Sequence, residues 1–202
     1  MTLTIRVIER CIHCGRDGPA GREEQTEQGT KIMSQPAYLT ISGTTQGNIS
    51  QGAFTAQSVG NIYQEGHADE VFCQSFSYHV TIPRDPQSGA PTGQRVHQPA
   101  SFIKYVDKSS PLLLQAIASG EILQITANFY RTSTAGKQEK YYTLQFTDAL
   151  LIDFKQYTPI ALDPANNPYR DMEEIHFTYR KIEATHEVAG TSGSDDWRAP
   201  KS

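Results

Sequence analysis

Alternation of apolar and polar side chains with a period of two constrains this chain more than anything else in it, because that period commits a segment to a strand with one buried face. In "VFCQSFSYHVTI" (71–82), Phe72, Phe76, Tyr78 and Val80 share one face, and Cys73, Ser75, Ser77 and His79 share the other. In "EILQITANFYR" (121–131), Leu123, Ile125, Ala127 and Phe129 alternate with Gln124, Thr126 and Asn128. In "EKYYTLQFTDALLIDFK" (139–155), Tyr142, Leu144 and Phe146 alternate with Thr143, Gln145 and Thr147. The last two segments read as a hairpin across "TSTAGKQ". Further strands are expected over 37–42 and about 172–187, with one or two short ones over 53–64, punctuated by Gly47, Gly52, Gly60 and Gly66. The fold class that follows is mainly β: a closed or nearly closed antiparallel β-barrel of two packed sheets, with one short α-helix and a long extended loop.

The helix is written in "KYVDKSSPLLLQAIASGE" (104–121). Ser110 suits the N-cap, Pro111 the first helical position and Gly120 the left-handed residue that ends a helix. Its leucines and alanines are too apolar for a solvated helix, so it must pack on a sheet or a neighbouring subunit. Asp107 and Lys108, where the helix starts, are candidates for polar contacts with a neighbour, and Leu113 for an apolar one. The extended loop is "PRDPQSGAPTGQRVHQP" (83–99), which carries four prolines and two glycines and should project as a hairpin or loop. Loops this long in compact domains usually serve a function. Pro83, Arg84, Asp85, Gln94 and Arg95 are its candidate contacts to other molecules.

Composition narrows the function classes. With 18 basic against 22 acidic residues in 202, the formal net charge of −4 offers no electrostatic footprint for nucleic acid. No apolar run is long enough for a membrane-spanning helix, and "MTLTIRVIERCIHCGRD" lacks the marks of a secretory signal, so synthesis as a soluble cytoplasmic protein is expected. Residues 15–31 are charged and almost without apolar side chains, whereas at Met33 the pattern turns abruptly into a strand. Residues 1–32 are therefore expected to be a disordered leader from upstream translation, or an appended arm, preceding one domain over 33–202. Cys11, Cys14 and Cys73 are too few for a disulfide framework. "CIHC" lacks both the further ligands of a zinc site and the βαβ setting of a redox motif, so no cofactor or metal is expected.

A nucleophile elbow, a phosphate-binding glycine loop and a zinc-protease helix are missing, and the paired carboxylates Glu173-Glu174 and Asp195-Asp196 point to opposite sides if extended. The expectation is a protein that is not an enzyme. A stand-alone β-sandwich binding module, of carbohydrate type, and a phage tail-tube-like protein are the alternatives.

The segments "SFIKYVDKSSPLLLQAIASGE", "HADEVFCQSFSYHV" and "FTYRKIEATHEVAGTSGSDDWR" together resemble the Hcp family, the haemolysin-coregulated proteins that form the inner tube of type VI secretion systems. The resemblance spans essentially 33–202. It implies a β-barrel with one helix that assembles into stacked hexameric rings inside a contractile sheath, under a trimeric spike protein. Such a tube is cytoplasmic when assembled and then delivered out of the cell, with small secreted effectors carried in its lumen. On that reading Ser75, Ser77, His79, Gln124, Thr126 and Asn128 are the expected lumen-facing residues, since a conduit needs a polar, largely uncharged wall.

Overall fold

A computed structural model describes residues 37–167 and 169–199; the expected leader, with Cys11 and Cys14, lies outside the described residues. In chain order the elements are β1 (Ala37–Gly43), β2 (Gly47–Asn48), α1 (Ala56–Val59), β3 (Val71–Ser77), β4 (Val80–Thr81), β5 (Val96–His97) and β6 (Ala100–Tyr105). They continue with α2 (Ser110–Ser119), β7 (Leu123–Thr132), β8 (Gln138–Tyr157), β9 (Met172–Thr178), β10 (Lys181–His186) and β11 (Thr191–Asp196).

One sheet runs β11-β10-β8-β7-β1-β3-β6-β9, and β8 also pairs with β9. The strands β8-β7-β1-β3-β6-β9 therefore close into a barrel, and the two expected layers are two sides of one continuous sheet. Closure depends on β8, whose first half pairs with β7 and β10 and whose end, from Leu150, pairs with β9. Asp148 lies at the changeover with a φ of 52°, and the Arg180 guanidinium donates to its carboxylate at 2.6 Å. Leu39, Ile41, Phe102, Ile125, Leu144, Phe146, Ile175 and Phe177 fill the interior. Complete burial of each such side chain stabilises by about 1.5–3 kcal/mol.

Helix α2 closes against this core with Leu113 and Ala116 buried, while Leu114 is 54% exposed. Gly120 ends it at φ 65° and ψ 35°, as its sequence foretells. Its start differs from expectation: the Ser110 hydroxyl caps no amide of the first helical turn and joins a buried ionic cluster instead. Lys104, on the interior face of β6, has no solvent exposure and lies opposite Glu173 of β9, which has none either. The Lys104 ammonium is 2.7 Å from Glu173 Oε2 and donates to Asp107 Oδ1 and Ser110 Oγ, each at 2.9 Å. Ser110 in turn donates to Glu173 Oε2 at 2.9 Å, and Asp107 Oδ1 accepts from the Ser109 amide at 2.8 Å. Two carboxylates thus offset one cation beside a helix N-terminus, whose dipole disfavours positive charge. Asp107 is committed inside its own subunit, which corrects its assignment to a neighbour. Leu113, with no exposed surface, is corrected in the same way.

Beyond the helix, Glu121 Oε1 accepts from the amides of Thr45 and Gln46 at 2.6 and 2.8 Å, and Oε2 from the Gln46 side chain at 2.7 Å. A Cβ at Gly43 would collide with this carboxylate, so glycine permits the approach.

The strands expected over 53–64 do not form. Thr55 precedes α1, a 3-10 turn follows at Gly60–Ile62, and Phe54 and Val59 bury onto the outer face of the barrel around Tyr38. Their separation does not fit a period of two; it puts them on one side of a coiled segment. His67 stacks on Tyr38 at 3.7 Å and meets Glu70 at 2.5 Å, and Glu70 accepts from Asn128 at 2.9 Å.

Two outcomes are expected. Lys104→Met leaves two buried carboxylates without their cation and should cost about 3–5 kcal/mol by urea denaturation, whereas Lys104→Met with Glu173→Leu should recover part of that loss. The amide of Gln46, followed by its side chain, holds the Glu121 carboxyl below the ordinary glutamate range. A carboxyl depressed in the folded state adds stability above its unfolded value and loses it as pH falls through the folded one. Wild type should therefore lose more stability than Glu121→Gln as pH falls below about 4.3, measured by melting at stepped pH.

Candidate functional site

The surfaces that could meet cargo or neighbours follow from strand phase, and β3 decides that phase. A bulge between Cys73 and Ser75 shifts its register against β6. Val71 and Cys73 are buried ahead of it, Phe76 packs on the core after it, and Ser75 and Ser77 are exposed. Cys73 therefore does not share an open face with the serines, as uninterrupted alternation predicts. Burial pushes its thiol up to about 12, and it donates to the Ser75 carbonyl at 3.0 Å. Tyr78 and Val80, expected in the core, are 41% and 40% exposed because β3 ends at Ser77.

Ser77 Oγ lies 2.8 Å from Ser101 Oγ on β6, and this small-hydroxyl surface continues across β9 to His176, which pairs in register with Ser101. His176 Nδ1 is 3.3 Å from Asp153, and Lys155 is 3.6 Å from Glu174, so titratable and charged side chains border the serines. His79 is exposed just past the end of β3.

Gln124 and Thr126 lie elsewhere. They pair with Ser42 and Thr40 of β1, and Thr126 also with Gln145 of β8, on a half-exposed polar face. Along β1 and then β3, through the Ala37–Cys73 pair, Thr126 is about five residues from Ser75 and Gln124 about nine from Ser77, or roughly 16 and 30 Å at strand rise. The segment around Phe54, Val59 and His67 covers the barrel between the two groups. Asn128 is buried beneath that segment, bonded to Glu70, and so is corrected from a wall residue to an anchoring one.

The long loop is a hairpin. β4 and β5 form a sheet of their own, and an isolated bridge joins Arg84 to Pro91. Asp85 folds the tip by accepting from the Gln87 amide at 3.0 Å and Ser88 Oγ at 2.7 Å; the Ser88 bond, then the Gln87 one, holds its carboxyl below the usual range. Pro83, Arg84 and Gln94 are exposed, as are Ile82 and Val96. Arg95 is different: its guanidinium pairs with Asp195 of β11 in its own chain. Lys108 is exposed, and its amide donates to Ser58 Oγ at 2.8 Å. Periodicity could not reveal the Lys104–Glu173 and Arg95–Asp195 pairs, whose partners are far apart in sequence. An exposed apolar set, Leu114, Ile122, Leu150 and Ile152, was also missed, because its residues continue runs that read as core.

Comparison with known proteins places this architecture. Residues 38–186 match the protein family described as "Type VI secretion system effector, Hcp". The chain is 58% identical over 169 residues to the "Major exported protein" of Pseudomonas aeruginosa, covering 83% of this chain and 98% of that one. A crystal structure of an Hcp protein aligns with a TM-score of 0.79 at 43% identity, covering 83% of this chain and all of the other. A secreted Hcp protein of Pseudomonas aeruginosa aligns at 0.70 with 50% identity, covering 82% of this chain and all of the other. The matched range takes in most of the barrel and the whole of α2, and the chain belongs to the Hcp family of type VI secretion proteins.

Proposed function

We propose that this chain is a subunit of a type VI secretion inner tube, forming hexameric rings that stack within a contractile sheath beneath a trimeric spike. It is exported when the sheath contracts, with small effectors in its lumen. The similarity to an exported protein over 98% of that protein's length carries the reading. The structure supports it through a barrel whose outside, unlike its apolar inside, bears broad polar surfaces.

On this reading the lumen wall is the β3–β6–β9 side, with Ser75, Ser77 and Ser101. Short hydroxyl side chains leave room for a folded cargo and both donate and accept hydrogen bonds. His79 sits at the rim of that wall. Gln124 and Thr126 lie further along the strands from that patch, and on this reading they fall on a flank of the subunit. The exposed hairpin residues Pro83, Arg84 and Gln94, with Asp85 shaping the tip, serve ring stacking. Lys108, with the exposed Leu114 in place of Leu113, remains for contact with a neighbour. Prolines limit the entropy that such a projection loses on docking.

Two experiments test this. Negative-stain microscopy of wild type should show rings and, at high concentration, stacks. Replacing residues 84–92 with a two-residue turn should preserve the rings and abolish the stacks; monomers in the wild-type sample would refute the tube reading. Ser77→Arg places a long cation at every subunit around the wall, so co-purification of a small type VI effector co-expressed with the rings should fall at least tenfold. Thr126→Arg should leave retention unchanged, and the reverse pattern would move the lumen to the Gln124 face.

A further inference from the structure

The hairpin is not part of the barrel sheet. Among the described residues its strands β4 and β5 pair only with each other, through Val80–His97 and Thr81–Val96, and the Gln98 amide donates to the His79 carbonyl at 2.9 Å. What fixes its direction lies on the C-terminal strand. Asp195 Oδ2 accepts from both Arg95 Nε and, at 2.8 Å, His97 Nε2. Arg95 reaches one residue further to the Asp196 carbonyl at 2.7 Å. The other His97 nitrogen lies 3.0 Å from the Tyr179 hydroxyl, and the imidazole side chain is only 3% exposed.

β11 is itself weakly held. Its sequence, "TSGSDD", contributes no apolar side chain, and among the described residues it pairs with β10 alone. Apart from that ladder and a local bond from the Arg198 amide to Asp196, its side-chain attachments among the described residues are the Arg95 and His97 contacts to Asp195 and the 2.5 Å contact from Arg180 to Asp196. Arg180 also holds Asp148, where β8 changes neighbours. Two elements separated by about a hundred residues thus meet at the Asp195 carboxylate, with the Arg95 bond to the Asp196 carbonyl and the His97–Trp197 ring contact beside it.

We infer that the hairpin and the edge strand β11 are a single conformational unit closed by Asp195, so that ordering of either one orders the other. Among the described residues the edge of β11 away from β10 pairs with no strand, and apart from the Asp196 carbonyl that Arg95 occupies it is able to accept a strand from a second copy of this chain. Pairing there would fix Asp195, Asp195 would fix Arg95 and His97, and the hairpin would be set in its projecting direction. Stacking would then follow ring closure. This assembly order rests on the tube reading above; the coupling itself does not.

Linkage makes the coupling reciprocal, which supplies the test. Hydrogen exchange of the full chain would be followed at the hairpin amides (80–81 and 96–97), at β11 (191–196) and at core strands β1 and β7. Arg95→Gln leaves β11 unaltered in sequence, and Asp195→Asn leaves the hairpin unaltered. Each variant should speed exchange by roughly tenfold or more in the element that carries no substitution, with β1 and β7 unchanged. Arg95→Lys, which keeps a cation, should restore part of the protection. If Arg95→Gln loosens only the hairpin, or Asp195→Asn only β11, the coupling is overturned. Should either variant unfold β1 and β7 as well, the clamp is a general stabiliser and the inference also fails. The same samples viewed by microscopy separate the two readings: rings without stacks in Arg95→Gln support the assembly order, and stacks at wild-type frequency overturn it. A wild type that forms no rings removes the tube reading but leaves the exchange result to decide the coupling.

Discussion

A charge in the barrel interior organises this fold. Lys104 points inward from β6 among aromatic and aliphatic side chains, and an unpaired ammonium there would cost several kcal/mol. Glu173 on the neighbouring strand, and Asp107 and Ser110 at the start of α2, satisfy it together. That requirement joins three decisions that could otherwise vary independently: the register of β6 on β9, the course of the chain after β6, and the point where the helix starts. A hydrophobic residue at 104 would serve the core as well or better. It would not distinguish this register from one displaced by two residues, which keeps the same faces buried. The "KYVDKSSP" segment is thus the outline of a cluster whose fourth member lies far away in the sequence.

Helix α2 is held at both ends by carboxylates with different tasks. Glu173 and Asp107 meet a cation at its start. Past its end, Glu121 gathers the amides of the β1–β2 turn. Between them Leu113 and Ala116 supply the apolar contact. The helix therefore covers its own barrel first, and only Leu114 and its exposed neighbours are left for another molecule.

The outer surface divides in a way that suits a repeating assembly. The interior is apolar apart from the Lys104 cluster, while the outside bears hydroxyl and amide side chains together with exposed apolar residues such as Leu114, Ile122 and Ile152. The hairpin stands off the barrel sheet and β11 lies at the end of its strand order. They are held by ion pairs rather than by core packing, and elements held in that way open at lower free energy than core strands.

Fold class, the helix and its glycine end, and the hairpin character of 83–99 were legible in the sequence, because period-two alternation, proline and glycine act through local geometry. The family was legible through three separated motifs. Tertiary structure alone decided which polar residues are open to solvent. Alternation places Cys73 with Ser75, yet one extra residue in β3 reverses the phase and buries the thiol. Alternation likewise places Asn128 with Thr126, yet a segment seventy residues earlier folds over it to protect Tyr38. Leu113 and Leu114 are indistinguishable in composition, and only the rotation of the helix on the barrel buries one and exposes the other. Local pattern determines which residues share a side of a strand or helix. What covers that side depends on contacts between residues distant in the chain, and no local period records them.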